Sequence, residues 1–149
     1  MKTFFVLAAL TASLFAGPAA GQPFPAFTLE DQFEKPHTVG GQQLVLISFE
    51  REVSEKVNAF LGTQSKGFLQ THDTVYIADI SAMPSLISKL FALPKMRDYS
   101  YPVLLNREED FAEKFDHQEG KLTVYRLKEG EITSVEFIDA DKASALFKD

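Results

Sequence analysis

The chain has 149 residues, 45% of them hydrophobic and 24% charged, with 14 Phe, no Trp and no Cys. That is enough chain for one ordinary domain with its own core and too little for two full-sized ones. The formal charge of -6 argues against a general grip on nucleic acid, which relies on cations that neutralise phosphates. The absence of cysteine excludes disulfides, thiolate nucleophiles, iron–sulfur ligation and covalent c-type haem attachment.

Met1-Lys2-Thr3 places a positive charge ahead of an uncharged apolar run from Phe4 to Ala16, and Gly17, Pro18, Ala19 and Ala20 follow. This is the order of a secretory signal peptide. The run falls short of the roughly 20 residues that span a bilayer. Residues 1–21 are therefore expected to be removed, by cleavage between Ala19 and Gln22, leaving 22–149 as a single domain in the periplasm or the medium. No membrane insertion is expected after removal. Loss of Lys2 takes the charge from -6 to -7.

Gln22 to Gly41 reads as an irregular lead-in, with Pro23, Pro25, Pro36 and the Gly40-Gly41 pair. Phe24, Phe27 and Leu29 are the residues that would pin it to a core. Leu44 to Phe49 is a continuous apolar run rich in branched residues, the pattern of a central strand buried on both faces. A helix is expected next, with Val53, Val57, Phe60 and Leu61 on one face and Gly62 near its end. Thr74 to Ala78 reads as a second strand. Met83-Pro84 then opens a helix whose amphipathic face is Leu86, Ile87, Leu90, Phe91 and Leu93, running up to Pro94. Val103 to Leu105 is a short strand. Asn106, with Glu109 three residues on, suits a capping box over a helix from Arg107 to Phe115. Leu122 to Leu127 and Ile132 to Ile138 form a hairpin across Lys128-Glu129-Gly130-Glu131. A helix over Asp141 to Phe147 closes the chain. The order β-α-β-α-β-α-β-β-α predicts an α/β fold with helices on a mixed sheet.

Several passages carry a resemblance in their wording. Phe24-Pro25-Ala26-Phe27-Thr28-Leu29-Glu30-Asp31-Gln32, continued by Lys35-Pro36-His37-Thr38-Val39, is similar to an opening stretch of the form P-x-F-x-L-x-D-x-x-G-K. Tyr101-Pro102-Val103-Leu104-Leu105-Asn106 with Asp110 to Phe115, and Val124 to Ile132, continue the likeness in the same order. Together they resemble the thioredoxin fold, in its peroxiredoxin and TlpA/ResA-like branch, from Pro23 to Phe147. The resemblance implies a three-layer sandwich, a central mixed sheet flanked by helices. It also places Ser54 and Val57 where TlpA-like proteins have the two cysteines of C-x-x-C. A serine hydroxyl cannot replace the thiolate that attacks sulfur, so thiol–disulfide exchange and peroxidase activity are not expected. The family's cis-proline aligns near Leu122, ahead of Thr123, where an ordinary trans bond is expected.

No catalytic residue is assigned. Ser54 has no evident neighbouring base and reads as an N-cap, with Glu55 at the positive end of the helix dipole. His37, His72 and His117 lack the paired spacing of metal ligands and read as exposed loop residues, Asp116-His117 with Glu119 included; no metal and no cofactor are expected. Glu50, Glu52 and Glu55, interleaved with Arg51 and Lys56, read either as a solvated helix start with charges on its outer face or as a recognition patch, since open α/β sheets bind ligands outside the carboxyl ends of their strands. Glu108, Glu109 and Asp110 suit a helix N-terminus. Phe91, Met96, Tyr99 and Tyr101 read as a loop suited either to protein contacts or to packing.

Three functional classes follow. The first is a binding or assembly module that recognises another exported protein through Glu50, Arg51, Glu52 and Ser54. The alternative is a periplasmic redox accessory protein that uses a non-covalently bound metal or cofactor. The third is a purely structural subunit whose folding depends on a larger complex.

Overall fold

The computed structural model describes residues 17–148, so the apolar leading run lies outside the described residues. Five strands form one mixed sheet: β3 (Leu44–Ser48), β4 (Thr74–Asp79), β5 (Leu104–Asn106), β6 (Leu122–Lys128) and β7 (Glu131–Ile138), in the spatial order β5-β4-β3-β6-β7. β3, β4 and β5 run parallel, while β6 and β7 add antiparallel. All five residues of β3 are buried, as its unbroken apolar run requires of the middle strand. The β6–β7 turn is tight. Glu129 and Gly130 both take positive φ, 52° and 82°, the backbone that matches the twist of the strands it joins.

Each sheet face has its own apolar layer. On one side Leu44, Leu46, Tyr76, Leu105 and Val124 pack against Val53, Val57 and Leu61 of α1 (Arg51–Leu61) and against Met83, Leu93 and Met96. On the other side Val45, Ile47, Ile77 and Tyr125 meet Phe24, Phe111 and Phe115. Together with Phe27 their neighbouring rings lie 4.8 to 6.1 Å apart in stacked, tilted and edge-on pairs. The α/β mixed-sheet architecture agrees with the sequence expectation, as does the amphipathic face of α1.

Several local expectations give way. The lead-in is not irregular throughout: β1 (Phe27–Glu30) and β2 (Pro36–Val39) form an antiparallel hairpin. Asp31 folds its turn, accepting hydrogen bonds at Oδ1 from the N–H groups of Phe33 and Lys35. Gly40 follows at φ 127°, where a Cβ would stand 3.2 Å from Ala26 Cα. The helix foreseen from Arg107 shrinks to α5 (Phe111–Lys114), because Asn106 finds partners other than a cap. As the last residue of β5 it donates to Asp79 Oδ1 and the Glu108 carbonyl and accepts from the Glu108 N–H. Asp110 takes the N-cap position without a side-chain cap, and Lys114 pairs with both Glu108 and Asp110. A short α2 (Phe68–Thr71) precedes β4, and the chain closes in a 3-10 helix (Ala140–Phe147) instead of an α-helix.

The largest correction concerns the segment after Met83. It folds as α3 (Ser85–Ile87), a π-helical stretch (Ser88–Ala92) and α4 (Leu93–Met96), continuing through Pro94. Proline offers no N–H and crowds the carbonyl four residues back, so the hydrogen-bond ladder widens ahead of it. Leu86, Ile87, Leu90 and Phe91, the apolar face foreseen there, point into solvent. Only Leu93 of that set is partly buried against the core.

Candidate functional site

The carboxyl end of β3 runs through Phe49 and Glu50 into α1, so the central strand delivers the helix start to the top of the sheet. Glu50 occupies the N-cap position with extended backbone and makes no side-chain cap. Its carboxylate instead accepts the Gly120 N–H, tying the helix start to the turn that leads into β6. Arg51 is exposed, its guanidinium 3.0 Å from Glu55 one turn on. Glu52 is exposed and makes no ion pair among the described residues.

Ser54 does not cap the helix. It lies in the second turn, where its N–H bonds the Glu50 carbonyl and its side chain turns inward. Its hydroxyl is 2.5 Å from that of Ser48, and Ser48 in turn lies 3.0 Å from the Tyr76 phenol. Burial pushes the Tyr76 phenol up, against the bonding to the serines, which lowers it. A neutral chain of three hydroxyls therefore fastens α1 to β3 and β4. The arrangement contains no base to withdraw a proton from Ser54, so it supplies no activated nucleophile. Val57, the other position that resemblance assigns to a cysteine, is a core side chain under α1.

The surroundings are equally tied down. Tyr101 donates its phenol proton to Asn58 Oδ1 at 2.7 Å, and its ring stacks on Tyr99 at 5.1 Å. Burial first, and then the nearby Glu55 carboxylate, holds the Tyr99 phenol above its ordinary range. That coupling places the outer face of α1 beside the chain leaving α4. Thr123, fully buried on β6 opposite Ile47, bonds the Asp116 carbonyl through its hydroxyl. No cis peptide occurs among the described residues, in line with the trans bond expected there.

The histidines are more engaged than their sequence neighbourhoods indicate. His37 lies on β2 and bonds the buried Asp31 carboxylate at 2.6 Å. Burial acts to raise that carboxyl, but the bond from His37 and the N–H groups of Lys35 and Phe33 together outweigh it and hold it low. His72 bonds the Phe68 carbonyl and lies against the rings of Phe68 and Phe147. His117 is exposed, as expected, though its ring rests on Phe49. Asp116 is buried and receives the Gly17 N–H, so it does not face a surface site with His117 and Glu119. Among the described residues no three His, Cys, Asp or Glu side chains gather as a metal-ligand set.

Two concavities lie away from the start of α1. One of about 430 Å³, lined by Gln43, His72, Arg126 and Phe147, opens where β3 and β4 begin, at the opposite end of the sheet. The other, of about 410 Å³, lies between the β1 strand and α5, with Phe27, Leu29 and Lys114 on its walls.

Sequence alone groups Glu50, Arg51, Glu52 and Ser54 around one helix start, and the structure brings them to the carboxyl end of the central strand. It does not single out Ser48, Tyr76 or Asn58. A signal exists for the first pair: Ser48 is the one hydroxyl in an apolar strand, and Tyr76 stands on the neighbouring strand one pleat away in register. Asn58 and Tyr101 are separated by 43 positions and carry no such sign.

Solved structures share this architecture. A peroxidoxin of Mycobacterium tuberculosis superposes with a TM-score of 0.55 at 17% identity, covering 86% of this chain and 92% of its own. The thioredoxin domain of a thiol-disulfide oxidoreductase of Bacteroides vulgatus gives 0.56 at 15%, with 87% and 96% covered. StoA of Bacillus subtilis gives 0.54 at 12%, with 88% and 100% covered. No protein-family model matches the chain, and no curated protein matches it in sequence. The sheet order, the helix layers and these superpositions define a thioredoxin-like α/β fold. This chain has that fold without a single cysteine, and Ser54 and Val57 stand where the resemblance expects the redox pair.

Proposed function

We propose that this protein is an exported thioredoxin-like binding or assembly module, and that it engages another exported protein through the start of α1. The observation that carries the reading is the exchange at the carboxyl end of β3. Ser54 and Val57 take the positions that the resemblance assigns to thiols, and exposed Glu50, Arg51 and Glu52 stand above an interlocked Ser48–Ser54–Tyr76 cluster. Such a site offers charged groups on a rigid support and no thiol redox chemistry. Rigid presentation limits the ordering cost of association, and charged groups favour one partner over others. Ser54 contributes by fixing the helix start that displays its neighbours. The uncharged run from Phe4 to Ala16, followed by small residues, supports export. No helix among the described residues is long and apolar enough to cross a membrane.

Native mass spectrometry of the protein from its exported fraction gives both the mature mass and the mass of any retained polypeptide. With that partner in hand, Arg51→Glu with Glu52→Arg is expected to weaken binding about tenfold, the scale of charge pairs at an interface. The unfolding midpoint should fall only slightly, since both side chains are exposed and the reversal removes only the surface pair of Arg51 with Glu55. Unaltered affinity would remove the charged helix start from the binding surface.

A further inference from the structure

The stretch from Gly17 to Phe24 is built into the domain through its backbone. The Gly21 N–H bonds the Ile132 carbonyl, the Ile132 N–H returns to the Gln22 carbonyl, and the Phe24 N–H bonds the Gly130 carbonyl. Pro23 bridges Glu131, so the stretch lies along the start of β7. Ahead of it Gln22 closes a turn on Ala19, its N–H on the carbonyl and its side-chain oxygen on the N–H. Gly17 reaches further: its N–H donates to Asp116 Oδ1 at 3.0 Å, across 99 positions of chain. A Cβ on Gly17 would stand 2.5 Å from the Asp116 nitrogen, so only glycine fits there.

Asp116 is short of partners. The residue is 7% exposed, and among the described residues the Gly17 N–H is the one donor to its carboxylate. A buried carboxylate is ordinarily compensated by a cation. The charged side chains near it in sequence are engaged elsewhere: Lys114 pairs with Glu108 and Asp110, Lys121 pairs with Asp139, and the His117 ring rests on Phe49. A cut just ahead of Gly17 supplies the missing charge. Water adds its hydroxyl to the Ala16 carbonyl carbon as the C–N bond breaks. The Gly17 nitrogen takes water's hydrogen and then the proton that the new Ala16 carboxyl releases. The N–H already at Asp116 thereby becomes an α-ammonium, and its bond to the carboxylate becomes charge-assisted, roughly twice as strong. A cut between Ala19 and Gln22 does the reverse, because it removes the single donor and strands a buried carboxylate. The sequence accommodates the earlier cut. Phe4 to Leu10 is an uncharged run within the roughly 7–15 residues of an h-region, Thr11 to Phe15 follow it, and Ala16 is the small residue ahead of the cut. We infer that the leader is removed between Ala16 and Gly17, and that the buried Asp116 carboxylate holds the new α-ammonium of Gly17. This rests on the export proposed above and names the first residue of the exported chain.

Expression of the full chain, with intact mass and N-terminal sequencing of the product in the exported fraction, tests the cut. A chain that begins at Gly17 is expected. An exported chain that begins at any other residue overturns the inference and leaves export standing, whereas an uncut chain retained in the cytoplasm overturns both. Labelling with acetic anhydride at neutral pH tests the pairing. The Gly17 α-amine is expected to react about tenfold more slowly in the folded protein than in guanidinium chloride, because the carboxylate holds it protonated and unreactive. The exposed Lys89 amine serves as the reference and should react alike in both. Asp116→Asn is expected to speed labelling of the folded protein about fivefold. Equal α-amine rates for the folded and unfolded wild type overturn the pairing whether or not the variant folds. A folded variant that labels as slowly as the wild type overturns it as well.

Discussion

Replacing Gln32 by methionine should unsettle the molecule more than any surface change of similar size. The side chain is 1% exposed and serves three backbone groups of the connection between α4 and β5. Nε2 donates to the Tyr101 carbonyl at 2.8 Å and to the Met96 carbonyl at 3.2 Å, while Oε1 accepts the Val103 N–H at 2.8 Å. Methionine fills nearly the same space and offers none of these bonds. The bonds to Tyr101 and Val103 are buried. A buried backbone group left without a partner costs about 1–3 kcal/mol, so the two together amount to about 3 kcal/mol. That is a large share of the 5–15 kcal/mol or so that holds an ordinary domain together. Urea unfolding should show a lower midpoint with an unchanged slope, because the surface exposed on unfolding is the same. Hydrogen exchange at the Val103 amide should accelerate beyond the change in global stability. Gln32→Glu provides the control: it keeps the acceptor for Val103 but turns a carboxylate on the Tyr101 and Met96 carbonyls. Its loss should exceed that of methionine at neutral pH and shrink in acid, where a protonated carboxyl can donate. A cost below about 1 kcal/mol for Gln32→Met would refute the claim that these bonds hold the connection, since that is the worth of one ordinary hydrogen bond.

Asp31→Asn should cost about 2 kcal/mol at pH 7, because an amide cannot match the charge-assisted bonds to His37, Phe33 and Lys35. The native Asp31 carboxyl is held below its ordinary value of 3.8, so its stabilisation is full above that value and is lost as pH falls through the native one. Unfolding curves of wild type and variant should therefore converge in strong acid; a gap that persists there would assign the effect to shape. In the hydroxyl cluster, Ser54→Ala and Tyr76→Phe should each cost about 1 kcal/mol, since the fully buried Ser48 hydroxyl keeps one partner either way. The double variant strands that hydroxyl and should cost more than the two singles combined, whereas additivity within about 0.5 kcal/mol would show that the three do not act as a unit.

Much of this molecule is local in origin and legible in its sequence. The apolar run from Leu44 becomes the middle strand because only a position covered on both faces keeps such a run dry. The spacing of Val53, Val57 and Leu61 marks the buried side of α1, and Glu129-Gly130 supplies the turn between β6 and β7. The lack of cysteine rules out thiol chemistry by composition alone, whatever the fold. Partners far apart in the chain are beyond such reading. Asn106 has the wording of a helix cap, but Asp79, 27 positions earlier, arrives beside it on the neighbouring strand. Ser54 has the same wording, and Ser48, itself bonded to Tyr76, claims its hydroxyl. The helix around Leu90 shows the limit most clearly: periodicity reports that a helix has an apolar side, but which way that side faces depends on what the rest of the chain leaves room for. Here the sheet is already covered by α1, Met83, Leu93 and Met96, and the small, polar Ser88 turns inward. Tertiary packing alone decides that this apolar stripe stays outside.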